Sequence, residues 1–193
     1  MASDTERTVV LFTEALASTG GPEELLRLLL HAIIGVAGAS GGAITNLSAN
    51  SGQPLMEYED LPLNAADAQR FRKKRRQFLP RLLASDLMRK RHNRGPRVGT
   101  PEELLGAKVW RASAFYRECV APFKLDNVVV LTAPGRHSHW HIVLVFPHGR
   151  GPARKCVDLL RSLLPHIGGA LSCVAHSLDA WLRTETLEAF AAS

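Results

Sequence analysis

The stretch NVVVLTAPGRHSHWHIVLVF, residues 127–146, decides the fold. Asn127 to Ala133 is an apolar strand, Pro134-Gly135-Arg136 is a turn, and His137 to Phe146 returns as the partner strand of a hairpin. The returning strand alternates. Trp140, Ile142, Leu144 and Phe146 fall on one face and His139, His141, Val143 and Val145 on the other. A sheet with one strongly apolar face needs helices to cover it, and a hairpin makes that sheet antiparallel.

The flanking sequence supplies both. Thr5 to Ala17 carries Val9, Phe12 and Leu16 at helical spacing, and a second helix beginning at Pro22 carries Leu25, Leu28, Leu29, Ile33 and Val36 before stopping near Gly38 to Gly42. Ala43 to Leu47 and Pro54 to Tyr58 are short strands joined through Asn50-Ser51-Gly52. Asn64 to Ala84 is helical, with Asn64 as its N-cap and Pro80 expected to kink or split it. Ser85 to Arg111 is a long irregular stretch. Ser113 to Val120 is a short helix capped by Ser113, and a long helix from Ala153 presents Val157, Leu160, Leu164, Ile167, Leu171 and Val174. The expected class is α+β: an antiparallel sheet with the N- and C-terminal helices on one face and a helix-and-loop cover on the other.

Composition narrows the function classes. The 193 residues carry 24 Lys and Arg against 18 Asp and Glu, a formal charge of +6, with 46% hydrophobic residues, which is an ordinary globular mix. The charge is uneven. Between Arg70 and Arg97 stand twelve Lys and Arg and one acid, Asp86, a net of +11, which leaves −5 for the rest of the chain. That segment is a solvated face or a surface for an anion, an acidic partner or nucleic acid. The three cysteines, Cys119, Cys156 and Cys173, form no C-x-x-C pair. No signal peptide and no apolar run of the ~18 residues that span a membrane is visible, so the expected compartment is the cytoplasm and no membrane contact is expected.

Two motifs then carry a resemblance. Residues 113–123, SAFYRECVAPF, and residues 163–171, LLPHIGGAL, resemble the S-x-F-Y-x-E-x-x-x-P and L-L-P-H-L-x-x-A-L segments of the GAF-like N-terminal sensor regions of LuxR-type helix-turn-helix regulators. The similarity runs from about Thr5 to His176. It implies a sensor domain over residues 1–176 and a signalling or dimerisation helix over residues 177–193. It also implies a small-molecule ligand of unknown identity and DNA contact only through a reader domain that is not in this chain. The small residues Gly168-Gly169-Ala170 and the stripe of Leu178, Trp181 and Phe190 point to a homodimer through the C-terminal helix or to completion of the monomer's core. An excised sensor and a free-standing relative both fit a chain ending at Ser193.

In a fold of this kind the pocket lies between the sheet and its cover. The candidate ligand-binding residues are Tyr58, Phe71, Phe78, Trp110, Phe115, Tyr116, Cys119, His139 and His141; for each aromatic the competing role is core packing. Arg72, Lys73, Lys74, Arg75, Arg76, Arg89, Lys90 and Arg91 are the candidate contacts to an anion or nucleic acid. A nucleic-acid-binding protein using residues 70–97 is the alternative function. Less favoured is a metal-dependent enzyme built on His137, His139 and His141, whose side chains would stand ~7 Å apart along the strand and lack a carboxylate or thiolate helper. No Ser-His-Asp grouping, Walker A loop or dinucleotide fingerprint is present, so no catalytic residue, metal site or cofactor is expected.

Overall fold

The computed structural model describes residues 21–48, 53–83, 97–135, 138–147, 152 and 154–191, with side chains on the last helix as far as residue 176. The expected Thr5–Ala17 helix, the 50–52 turn, His137, and Arg89, Lys90 and Arg91 lie outside the described residues.

Helix α1, Pro22–Ala37, starts with Pro at its first position and Glu23 and Glu24 in its first turn, both suited to the positive end of the helix dipole. It ends at Gly38, whose left-handed φ of 63° lets the chain turn back, its N–H donating to Ile34 O. Strands β1 (Gly41–Ser48), β2 (Pro54–Asp60), β3 (Arg97–Gly99), β4 (Val128–Pro134) and β5 (Ser138–Val145) form one antiparallel sheet in the order β2-β1-β5-β4-β3. The 127–146 hairpin is therefore β4–β5, with Leu131 opposite Ile142.

Both faces of the sheet are covered, as the alternation in β5 requires. On one side Trp140, Ile142, Leu144 and Phe146 pack with Leu26, Leu29, Leu30 and Ile33 of α1 and with Leu160, Leu163, Ile167 and Leu171 of α5, Arg154–Ala191. The deepest residues of α1 include Leu26 and Leu30, while Leu28 and Val36 of the expected face are half-buried, so the helix is rotated from the expected contact. α5 runs unbroken through Pro165 and past residue 176.

The other side is the cover. Helix α2, Ala65–Leu83, begins where expected: Asp67 N–H donates to Asn64 Oδ1 at 2.9 Å. Pro80 does not split it; the helix continues to Leu83, because only the last turn has to tolerate the missing amide. The described part of the stretch expected to be irregular, from residue 97 on, contains regular elements. They are β3, α3 (Pro101–Leu105) and α4 (Ala107–Ala112). α3 is started by a capping box in which Thr100 Oγ1 accepts from Glu103 N–H and the Glu103 carboxylate accepts from Thr100 N–H. A π-helical turn (Tyr116–Val120) and a 3₁₀ turn (Ala121–Phe123) then lead to β4.

Candidate functional site

Between the sheet and the cover lies a cavity of about 120 Å³. Its floor is built by sheet positions of one parity: Ala43, Thr45 and Leu47 from β1, His141, Val143 and Val145 from β5, and Val128 from β4. Its roof comes from α2 through Phe71, Arg75, Leu79 and Leu82, which recur at four, four and three residues and so share one helix face. Trp110, Phe115, Val120 and Leu125 close the side. The wall is almost wholly apolar, with the few polar groups of a ligand site.

Ser113 sets the aromatic wall. Its Oγ donates to Trp110 O at 2.7 Å, ending α4, and accepts from Tyr116 N–H at 3.1 Å, starting the next turn. One hydroxyl thereby places Trp110, Phe115 and Tyr116, with the Trp110 ring edge-on to Tyr116 at 5.5 Å and tilted over Phe115 at 6.1 Å. Trp110 is only 4% exposed and its Nε1–H finds no acceptor among the described residues. Buried indole N–H groups normally have a partner, so this one stands out.

Arg75 supplies the charged part of the wall. Its side chain is 11% exposed; Nη1 lies 2.7 Å from Glu57 Oε2 and 3.9 Å from Glu59 Oε2, and Nη2 donates to Thr45 Oγ1. Glu57 and Glu59 face the cover because they pair across the β1–β2 ladder with Thr45 and Ala43. The neighbouring cations follow the same plan. Arg72 pairs with Glu59, Lys74 with Glu118 at 2.8 Å, Arg76 approaches Glu57 at 3.8 Å, and Arg70 pairs with Asp67. The Arg70 and Lys74 contacts hold the Asp67 and Glu118 carboxyls below their ordinary range. Arg70 also lies 6.0 Å from the Phe123 ring centroid and Arg81 5.7 Å from that of Phe78. Of the basic candidates on α2, only Lys73 has neither an ion pair nor a ring contact among the described residues, and it is exposed.

The candidate ligand residues separate into three groups. Phe71, Trp110, Phe115 and His141 line the cavity. Tyr116, Cys119 and Phe78 belong to the same apolar cluster but do not line it. Cys119 is fully buried, and burial pushes its thiol up to about 11, outweighing the lowering by Lys74 and Arg75. His139 shares the face of His141 but lies toward the hairpin end, off the cavity lining, and burial lowers its pKa. Tyr58 is on the opposite face: it is the ladder partner of Ile44, packs against the helix-side core, and meets His31 edge-on at 6.0 Å. The parity of β2 explains this, since the residues that face the cover are its two glutamates. Among the described residues no three His, Cys, Asp or Glu side chains converge to hold a metal ion. No helix there is long and apolar enough to cross a membrane.

Lining residues missed from sequence include Thr45, Leu79 and Leu82. The signal for Leu79 and Leu82 was available as the 71-75-79-82 spacing, which also singles out Arg75 from the basic run.

No family model matches the sequence, and no curated protein is detectably similar to it. Solved structures do match. The VqsR ligand-binding domain from Pseudomonas aeruginosa aligns with a TM-score of 0.62 at 14% identity, over 91% of this chain and 99% of that one. CepR2 from Burkholderia cenocepacia, an N-acylhomoserine-lactone-dependent LuxR-family transcription factor, aligns with a TM-score of 0.53 at 12% identity, over 92% of this chain and 96% of that one. SdiA, solved with octanoyl-rac-glycerol, aligns with a TM-score of 0.50 at 12% identity, over 96% of this chain and 68% of that one. The chain thus has an α+β fold like that of a ligand-binding domain and of a LuxR-family transcription factor.

Proposed function

We propose that this chain is the ligand-sensing domain of a LuxR-type transcriptional regulator. A small molecule binds between the sheet and the α2–α4 cover, and its binding shifts the population of arrangements of the cover and of α5. The observation that carries this reading is the apolar cavity with Thr45, Arg75, Trp110 and His141 set into its wall. The likeness to domains solved as ligand-binding domains supports it. On this reading residues 1–176 are the sensor and residues 177–193 extend α5 as a signalling or dimerisation segment. The protein works as a cytoplasmic homodimer, and DNA is contacted by a reader domain outside this chain. The domain binds and does not catalyse. The ion pairs of Arg72, Lys74, Arg75 and Arg76 count against residues 70–76 acting as a nucleic-acid surface, since Glu57, Glu59 and Glu118 offset most of the charge of these four cations within the fold.

Native mass spectrometry of the purified chain, combined with thermal scans against fractionated cell extract, tests the proposal. A retained or added small molecule should raise the melting temperature, by the equivalent of about 2.7 kcal/mol at a hundredfold excess over Kd. The same molecule should fail to stabilise a Val143→Trp variant whose cavity is filled. A ligand that stabilises both proteins equally would place binding elsewhere, and no stabilising fraction would count against sensing.

A further inference from the structure

We infer that small molecules enter the cavity at the β2 edge, through a seam that opens when the last turn of α2 swings outward. The inference rests on the reading of the cavity as a ligand site and adds the route into it.

The seam is a groove between the start of β2 and the end of α2. Pro54 and Glu57 line it from the strand, and Arg75, Arg76, Leu79 and Pro80 from the helix. It measures about 10 Å³, room for about one water molecule. Arg75 and Leu79 also line the cavity, so these two side chains form the wall between groove and cavity. β2 is an edge strand, and no neighbouring strand blocks the approach. Leu55, beside Pro54, is 57% exposed and adds apolar surface to that edge.

The two halves of the wall are held differently. Arg75 is fixed: Nη1 lies 2.7 Å from Glu57 Oε2, and Nη2 donates to Thr45 Oγ1. Leu79 has no polar anchor of its own, and the residue after it is Pro80. Pro80 has no amide to donate to the Arg76 carbonyl one turn back, so α2 is weakened where it roofs the groove. The helix ends three residues later, at Leu83. Helices yield at prolines and at their ends before they yield elsewhere. An outward swing of this turn lifts Leu79 off the wall and leaves Arg75 in place. The aromatic side of the cavity is built the other way. There Ser113 joins α4 to the following turn by two hydrogen bonds, and Trp110 packs against Phe115 and Tyr116.

Fluorobenzene, close in size to the benzene that an apolar cavity of ~150 Å³ holds, is a probe of the route. Fluorine NMR saturation transfer on the full chain gives its Kd and its entry and exit rates. Pro80→Ala restores the amide; entry and exit should both slow about three- to tenfold, with Kd unchanged within about twofold. Glu57→Gln removes the charge that fixes Arg75 and should speed both rates about threefold. Wild-type rates in Pro80→Ala would overturn the inference while leaving the cavity as a binding site. Faster exchange in Ser113→Ala, with Pro80→Ala at the wild-type rate, would overturn it by moving the entrance to the aromatic wall. If Glu57→Gln fails to fold, Pro80→Ala, which adds a helix hydrogen bond, still decides. Absence of fluorobenzene binding at millimolar concentration would remove the cavity reading, and the inference with it.

Discussion

Arg75 on α2 and Glu57 on β2 meet at 2.7 Å across the gap between the cover and the sheet. The cover is thus fastened to the edge strand by charge, while its apolar contacts are made further along, by Phe71, Leu79 and Leu82.

Arg75→Met should destabilise the chain by about 2–4 kcal/mol in urea denaturation, because it strands Glu57 and Glu59 without their inward-facing cation. Adding Glu57→Gln and Glu59→Gln to that variant should recover most of the loss. Additive losses across the three substitutions would show that the groups act independently in solvent.

Ser113→Ala removes both hydrogen bonds that join α4 to the following turn. A loss of about 1 kcal/mol is expected from the missing cap. The emission of Trp110 should change as well, since the ring loses its fixed place against Tyr116. Ser113→Asp, able to accept the same amide, should retain most of the stability.

A Cβ at Gly41 would stand 2.4 Å from Asp60 O, and one at Gly42 would stand 2.6 Å from Val143 O. Both obstacles are backbone atoms of neighbouring strands, which cannot step aside without breaking the ladder. Gly41→Ala and Gly42→Ala should each lower the melting temperature, whereas Gly35→Ala, with open space around it, should raise it slightly.

Cys119 supplies the pH dependence. Burial favours its neutral thiol in the fold, with a pKa of about 11 against an ordinary 9.0. A group whose folded pKa is raised contributes stability that is complete below the unfolded value and disappears as pH climbs through the folded one. The chain should therefore lose stability between about pH 9 and 11, and Cys119→Ala should flatten that part of the profile. At neutral pH a thiol reagent should modify the exposed Cys173 well before Cys119.

Much of this was legible in the sequence wherever a period was long enough to read. The eight residues of β5 show four alternations, so the two faces of the sheet and the positions of Trp140 and His141 follow directly. Ser113 and Asn64 announce their caps by chemistry alone. Strand β3 was not legible because three residues hold no period, and its pairing with β4 depends on Val98 finding Leu131. The capping box at Thr100 and Glu103 was visible as a motif and went unread among the glycines and prolines around it. Tyr58 belongs by sequence to the aromatics expected to cover the sheet, but strand parity turns it to the helix side and puts its two neighbouring glutamates on the cover side. The basic run was read as one surface. Its helix face separates Arg75 from its neighbours, and its carboxylate partners come from positions 57, 59 and 118, which a local reading of charge does not bring together.

The sheet order has a consequence for how the chain is made. β1 lies inside the sheet between β2 and β5, so Ser48 pairs with Ser138 and Gly41 with Val145, separations of 90 and 104 residues. During synthesis β1 can find only β2 until most of the polypeptide has emerged, and its second edge waits for a strand made near the end. Long-range pairing of this kind slows folding and exposes unpaired strand edges meanwhile. Nascent chains halted before residue 138 should therefore be the species that chaperones hold and that aggregate when they do not.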